Sequence, residues 1–121
     1  MARAKENSEI EHRIEDEVVV DCYGEFERHA GWMCYLEDRL PFPFRASCLR
    51  RLPESPLQPG EAVTVTGLLD AAEPADIRVR LRWQKRELAV PLAQLEGVGI
   101  SREAAQAIAD WHYWCSRGYG F

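Results

Sequence analysis

The chain has 121 residues, of which 46% are hydrophobic and 29% charged, a composition typical of one globular domain that buries a core. Its formal net charge at pH 7 is −5, and no apolar run approaches the roughly 20 residues of a spanning helix. These features exclude a membrane span and make cations more natural partners than nucleic acids or membranes.

The N-terminal part of the predicted single domain 1–121, residues 8–40, is expected to be helical. The stretch "MARAKENSEIEHRIEDE" lacks the apolar core of a secretion signal, so we expect a cytoplasmic protein. Ser8 and Glu11 have the S-x-x-E pattern of a capping box. An amphipathic stripe then recurs every four residues, at Ile10, Ile14, Val18 and Cys22.

Gly24 is expected to bend or interrupt this helical part. A second helix follows it and ends before Pro41, because the residue preceding a proline is pushed out of the helical region. The apolar residues predicted on one side of this helix are Phe26, Ala30, Met33, Leu36 and Leu40.

From Phe44 onward the apolar period changes from about 3.6 residues to 2, which is typical of strands. The clearest strand is "DIRVRLRW", and a turn at Lys85 and Arg86 leads from it to "ELAVPL". The two faces of the "DIRVRLRW" strand differ: one carries Ile77, Val79, Leu81 and Trp83, and the other carries Arg78, Arg80 and Arg82. Several short antiparallel strands over residues 43–92 predict a small SH3-like barrel.

The last predicted element is a C-terminal helix over residues 101–115, which Ser101 caps and which carries the aromatic run "DWHYW". The predicted fold class is therefore α+β, with N-terminal helices and a C-terminal helix packed on a small SH3-like antiparallel β-barrel. The cysteines are widely spaced and are predicted to be core residues rather than zinc ligands or disulfides: Cys22, Cys34, Cys48 and Cys115.

Catalytic motifs are missing from the sequence, which has no Gly-rich phosphate loop, no G-x-S-x-G and no H-E-x-x-H. We therefore predict no enzyme. Nucleic-acid binding through the arginine row of the strand at 78–82 is one interpretation, and it requires steeply salt-dependent affinity. A solvated sheet face is the simpler one, because Trp83 lies on the opposite face and the total charge is negative.

The stretch "YLEDRLPFPF" places Glu37 and Asp38 at the end of a helix, where the partial negative charge favours cations rather than carboxylates. Either Arg39 offsets these acids, or a cation that is not part of the chain lies beside them. Calcium binds six to eight oxygens from carboxylates, backbone carbonyls and water. The two acids could anchor such an ion together with the carbonyls of residues 39–42, since the last carbonyls of a helix have no internal partner.

A second candidate metal site lies in the loop "LLDAAEPADI", where Asp70, Glu73 and Asp76 can converge without disturbing a strand. Neither candidate has the D-x-[DN]-x-[DN]-G pattern of an EF-hand. Acids on an exposed helix or loop are usually solvated, so the alternative of a metal-free surface stays open.

Several long strings of the chain resemble a family of small acidic bacterial calcium-binding proteins that was first named from cyanobacteria. The resemblance runs from about Ile10 to Trp114, and its most specific strings are "GWMCYLEDRLPFPF", "LAVPLAQLE" and "DWHYW". It implies a helical part on a small β-barrel, non-EF-hand calcium sites, and buffering or sensing of intracellular calcium. The intact "YLED" makes Asp38 the first expected Ca²⁺ ligand, with Glu37 beside it.

A rival interpretation from another class is a metal-free SH3-like module that binds a protein partner. Arg39 would then satisfy the two acids at the helix end, and the arginine row or the C-terminal aromatic residues would form the contact surface. Replacing Asp38 by alanine separates the two interpretations, because only the first predicts a loss of calcium affinity.

Overall fold

The computed structural model describes residues 7–69 and 76–118. Its helical elements are α1 (Ser8–Arg13), a π-helical turn (Ile14–Val18), α2 (Glu25–Arg39), a 3-10 turn (Leu92–Gln94) and α3 (Arg102–Ser116). Its strands are β1 (Phe44–Cys48), β2 (Ala62–Leu68), β3 (Arg78–Trp83), β4 (Arg86–Pro91) and β5 (Leu95–Val98). None of the helices in these two ranges has the length and apolarity needed to cross a membrane.

The five strands form one antiparallel sheet in the order β4-β3-β2-β1-β5. The α+β class is therefore confirmed, but β4 and β5 lie at opposite edges of an open sheet, so the predicted SH3-like barrel is not confirmed. Strand β5 was not predicted, because "LEGVGI" is short and its glycines are a turn signal. It pairs with β1 through Arg45 opposite Val98 and Cys48 opposite Leu95.

The alternation that predicted the strands is confirmed. One face of β1 and β3 is buried in the core, with Phe44, Ala46, Cys48, Val79 and Leu81. Arg80 and Arg82 lie on the exposed face. The tight turn after β3 consists of Gln84 and Lys85, one residue earlier than predicted, and both residues have left-handed backbones with φ values of 49° and 64°. Trp83 and Arg86 then face each other across the hairpin.

The cap of α1 differs from the prediction. Asn7 is the N-cap residue, and its side-chain oxygen accepts hydrogen bonds from two backbone N–H groups of the first turn, so the predicted Ser8 capping box is wrong. Asparagine and serine are similarly good N-caps, and the local pattern alone does not choose between neighbours. The apolar stripe is confirmed through Ile14 and Val18, which are buried. The helical stretch ends in a widened π-helical turn, in which the Val19 N–H bonds the Ile14 carbonyl at 2.9 Å.

The predicted apolar side of the second helix is confirmed at Leu36 and Leu40, which are buried, and at Met33, which packs against the core, but it is wrong at Phe26 and Ala30. Phe26 is 62% exposed and Ala30 is also exposed, whereas the residues that α2 buries are His29, Trp32, Tyr35 and Leu36. Trp32 is fully buried, and its ring packs edge-on against Trp111 of α3 with 5.0 Å between the ring centroids. This pair adds a large aromatic surface to the buried side of α2, while Phe26 and Ala30 lie toward the solvent.

A buried carboxylate joins the three helices. Asp110 of α3 has no exposed surface and accepts two hydrogen bonds from the Arg13 guanidinium of α1, at 2.8 and 2.6 Å. It also accepts the hydroxyl of Tyr35 of α2 at 2.6 Å. Burial and this hydrogen bond raise the pKa of Tyr35 well above its ordinary value. The helices therefore form one layer held by a buried ionic network.

The four cysteines are all free thiols, so no disulfide links them. The prediction of core residues is confirmed for Cys48, which is buried, and is wrong for Cys34, which is exposed. Burial raises the pKa of the Cys115 thiol to about 12, which keeps it protonated near neutral pH.

Candidate metal centre

The end of α2 carries the first predicted pair of acids on its exposed side. Leu36 and Leu40 are buried and anchor the last turn to the core, while Glu37 and Asp38 are exposed. Because successive helical residues are rotated by about 100°, the two carboxylates have different surroundings. Glu37 lines a cavity of about 600 Å³ between α2 and the end of β2, whose other wall includes Thr66 and its neighbours.

Three consecutive backbone carbonyls at this helix end have lost their helical donors. The donor for the Glu37 carbonyl would be residue 41, and that for Arg39 would be residue 43, but both are prolines without an N–H. The donor for the Asp38 carbonyl would be the Phe42 N–H, which instead bonds the Leu40 carbonyl at 3.1 Å. The sequence therefore leaves three carbonyl oxygens without helical donors in the last turn of α2, the turn that also carries the Asp38 side chain, and carbonyl and carboxylate oxygens are the kind of ligand that calcium prefers.

Arg39 offsets part of the negative charge at this helix end. Its Nη1 lies 3.6 Å from Asp38 Oδ2, and its Nη2 lies 3.2 Å from Glu17 Oε1 of the π-helical turn. Its Nε lies 3.8 Å from Glu103 Oε1 in the first turn of α3. Glu17 and Glu103 were not predicted as partners of Arg39, because their approach to it depends on the packing of three separate elements. The spacing of the two prolines, by contrast, is a local signal from which the unpaired carbonyls could have been predicted.

The second predicted site lies mostly outside the described residues, since Asp70 and Glu73 fall between residues 69 and 76. Asp76 is described and is exposed, although neighbouring atoms cover part of its carboxyl and raise its pKa. Arg78 acts in the opposite direction on that pKa. Within residues 7–69 and 76–118, no three His, Cys, Asp or Glu side chains gather as a metal site by themselves. The site residues predicted from the sequence therefore remain predictions.

The run "DWHYW" contributes to packing. Asp110 is fully engaged with Arg13 and Tyr35, so it is directed into the helix layer. The His112 Nε2 lies 2.7 Å from the Leu95 carbonyl oxygen, which makes Nε2–H the donor. Burial lowers the pKa of His112, and the nearby positive charge of Arg50 adds to this effect. The Leu95 carbonyl and Glu96 act in the opposite direction without cancelling it.

The lowered pKa of His112 predicts a loss of stability in acid. The unfolded chain binds a proton near the ordinary pKa of about 6.5, whereas the folded state binds it only at lower pH. The unfolded state then holds more protons, so the free energy of unfolding decreases as the pH falls below about 6.5 toward the native pKa. His112→Gln keeps an N–H donor for the Leu95 carbonyl but removes the titrating group. We therefore expect its free energy of unfolding to decrease less than that of the wild type when the pH falls from 7.5 to 5.5. Urea unfolding at pH 7.5 and 5.5 measures this difference, and equal losses in both proteins would contradict it.

Comparisons with known proteins give one consistent result. A family model described as calcium binding, of the CcbP type, matches residues 12–115. The crystal structure of Anabaena CcbP has 32% sequence identity to the chain and a TM-score of 0.86, with 100% of each chain covered. A structure described as a calcium binding protein in the calcium-binding form has 32% identity and a TM-score of 0.85, again with 100% of each chain covered. No curated protein matches.

Proposed function

We propose that this chain, which belongs to the CcbP family of calcium-binding proteins, binds Ca²⁺ at the C-terminal end of α2. The observation that carries the proposal is the set of three carbonyls, at Glu37, Asp38 and Arg39, that have lost their helical donors in the helical turn that also carries the Asp38 side chain. Carboxylate and carbonyl oxygens are the ligands that Ca²⁺ takes in proteins, with water completing a shell of six to eight.

The negative charge of the chain also supports the binding of a cation such as Ca²⁺. The net charge is −5, and the Asp38 side chain is 78% exposed, so it is accessible to a hydrated cation. Glu37 and the acids at 70, 73 and 76 are further candidate ligands, either in this site or in a second one. The proposed site is of a non-EF-hand type, because its oxygens come from a helix end.

The proposed role is calcium buffering or sensing in the cytoplasm, with no catalytic step. The two roles differ in whether calcium changes the shape of the protein. A buffer binds with little conformational change, whereas a sensor presents a new surface when calcium is bound. Small-angle scattering and near-UV circular dichroism, with and without calcium, distinguish these roles.

The direct test is calorimetric titration of Ca²⁺ into the chelator-stripped protein, with Mg²⁺ as the control ion. We expect binding that Mg²⁺ does not match, because Mg²⁺ demands a small octahedral shell and dehydrates reluctantly. Asp38→Asn should weaken the calcium affinity on the order of tenfold or more, since it removes a unit charge in contact with a divalent ion.

The matched control for Asp38→Asn is Asp21→Asn, which removes the same charge near the opposite end of α2. A helix of 15 residues is about 20 Å long, so this change is screened from the proposed site. Equal calcium affinities in the two variants would contradict the role of Asp38.

A metal-free protein-interaction module is the second candidate, and the contacts of Arg39 favour it, because they partly satisfy Asp38 without an ion. This candidate predicts no heat on calcium addition and no calcium-dependent rise in the melting temperature. The same titration therefore decides between the two functions.

A further inference from the structure

Arg39 places a positive charge among three carboxylates that come from three different elements. Glu17 belongs to the π-helical turn, Asp38 to α2 and Glu103 to α3, and their oxygens lie 3.2 to 3.8 Å from the guanidinium nitrogens. One positive charge among three negative charges leaves a local net charge of −2. The carboxylates thus retain a strong attraction for a further cation.

The guanidinium is held in this position more firmly than the acids around it. Its central carbon lies 4.1 Å from the centroid of the Tyr35 ring, which is a cation–π contact. The Tyr35 hydroxyl in turn donates to the buried Asp110. The Arg39 side chain is only 21% exposed, against 78% for Asp38. The Arg39 guanidinium is therefore positioned by its contact with the Tyr35 ring on the core side, while the carboxylates contact it from the solvent side.

We propose that Arg39 is a tethered cation that competes with Ca²⁺ for Asp38 and so sets the calcium affinity of the site. This role rests on the proposed function, and it assigns to Arg39 a regulatory effect instead of a ligand role. A Ca²⁺ ion bound to the free oxygen of Asp38 would lie within roughly 6 Å of the guanidinium. Repulsion between charges of +2 and +1 at that distance, in a medium as polar as water, weakens binding on the order of tenfold.

The competition also has a structural consequence. When Ca²⁺ binds the Asp38 carboxylate, Arg39 retains Glu17 and Glu103 as partners. We therefore expect its guanidinium to shift away from the ion and toward these two carboxylates. Because the guanidinium rests on the Tyr35 ring, the signal of its Nε–H group in an NMR spectrum reports this shift.

The experiment compares calcium titrations of the wild type, Arg39→Met and Arg82→Met. The control change removes the same charge from the exposed face of β3, which is turned away from the core. We expect Arg39→Met to bind Ca²⁺ on the order of tenfold more tightly than Arg82→Met. Arg39→Gln, which is less apolar, repeats the test if the methionine variant does not fold. Arg39→Lys should bind like the wild type, because it keeps the positive charge.

The outcomes separate this role from the proposed function itself. Wild-type binding together with equal affinities in Arg39→Met and Arg82→Met overturns the role of Arg39 and leaves the calcium site intact. Weaker binding in Arg39→Met also overturns it, because Arg39 would then help to form the site. Binding by Arg39→Met alone, without binding by the wild type, supports the tethered cation in its strongest form. No binding by any of these proteins overturns both proposals.

Discussion

Asp110→Asn is expected to lower the free energy of unfolding by about 3–5 kcal/mol, because it breaks a buried ion pair by removing one partner. The carboxylate has no exposed surface and binds both the Arg13 guanidinium and the Tyr35 hydroxyl. The asparagine side chain has nearly the same shape, but it leaves the guanidinium without a counter-charge inside the helix layer. Since small proteins are stable by only about 5–15 kcal/mol, a loss of this size is a large part of the total.

Urea unfolding at pH 7 measures this effect, and Asp16→Asn is its control. Asp16 also has a close side-chain partner, because its Oδ2 lies 2.8 Å from the His12 Nε2, but the two side chains are 59% and 78% exposed. Exposed pairs contribute at most about 1 kcal/mol, so the control should lose little stability. Similar losses in the two variants would mean that the contacts of Asp110 do not hold the helices together.

The strands were predictable because their signal is local. In β1 and β3 the side chains alternate between the core and the solvent with a period of two, and the sequence shows this period directly. Strand β5 has only four residues and lacks a clear period, so its pairing with β1 follows from the sheet rather than from its own sequence. Closure of a barrel depends on strand tilt and stagger, which local alternation does not contain.

The candidate site likewise has local features that could be predicted from the sequence and long-range contacts that could not. The position of Asp38 at a helix end and the prolines at 41 and 43 are local features, and both could be read from "YLEDRLPFPF". The partners of Arg39 come from residues 22 positions earlier and 64 positions later in the chain. The Arg13–Asp110 pair spans 97 positions. Contacts over such distances depend on how whole elements pack, and neither propensity nor periodicity encodes them.

Trp32→Ala is expected to destabilise the protein by about 3–5 kcal/mol, through lost burial and the cavity that remains. The ring of Trp32 is fully buried and packs edge-on against three aromatic rings. Its centroid lies 5.0 Å from that of Trp111, 5.5 Å from that of Trp114 and 5.8 Å from that of Tyr35. The contacts with Trp111 and Trp114 join α2 to α3, so their loss affects the docking of both helices.

Phe26→Ala is the control that tests the rotation of α2. The sequence placed Phe26 on the buried side of the helix and did not include Trp32 there, whereas the structure reverses the two. An exposed substitution of this kind changes the free energy of unfolding by no more than about 0.5 kcal/mol. Larger destabilisation by Phe26→Ala than by Trp32→Ala, measured by urea unfolding, would contradict the orientation of α2.

Trp32→Phe separates the packing of the ring from its polar atom. The indole Nε1 of Trp32 is buried and has no hydrogen-bond partner among the described residues. Phenylalanine keeps most of the aromatic surface and removes this unsatisfied donor, which costs free energy when it is buried. We therefore expect Trp32→Phe to lose clearly less stability than Trp32→Ala. Equal losses would mean that the indole Nε1 is bonded in solution, and that polar pairing as well as aromatic packing holds α2 against α3.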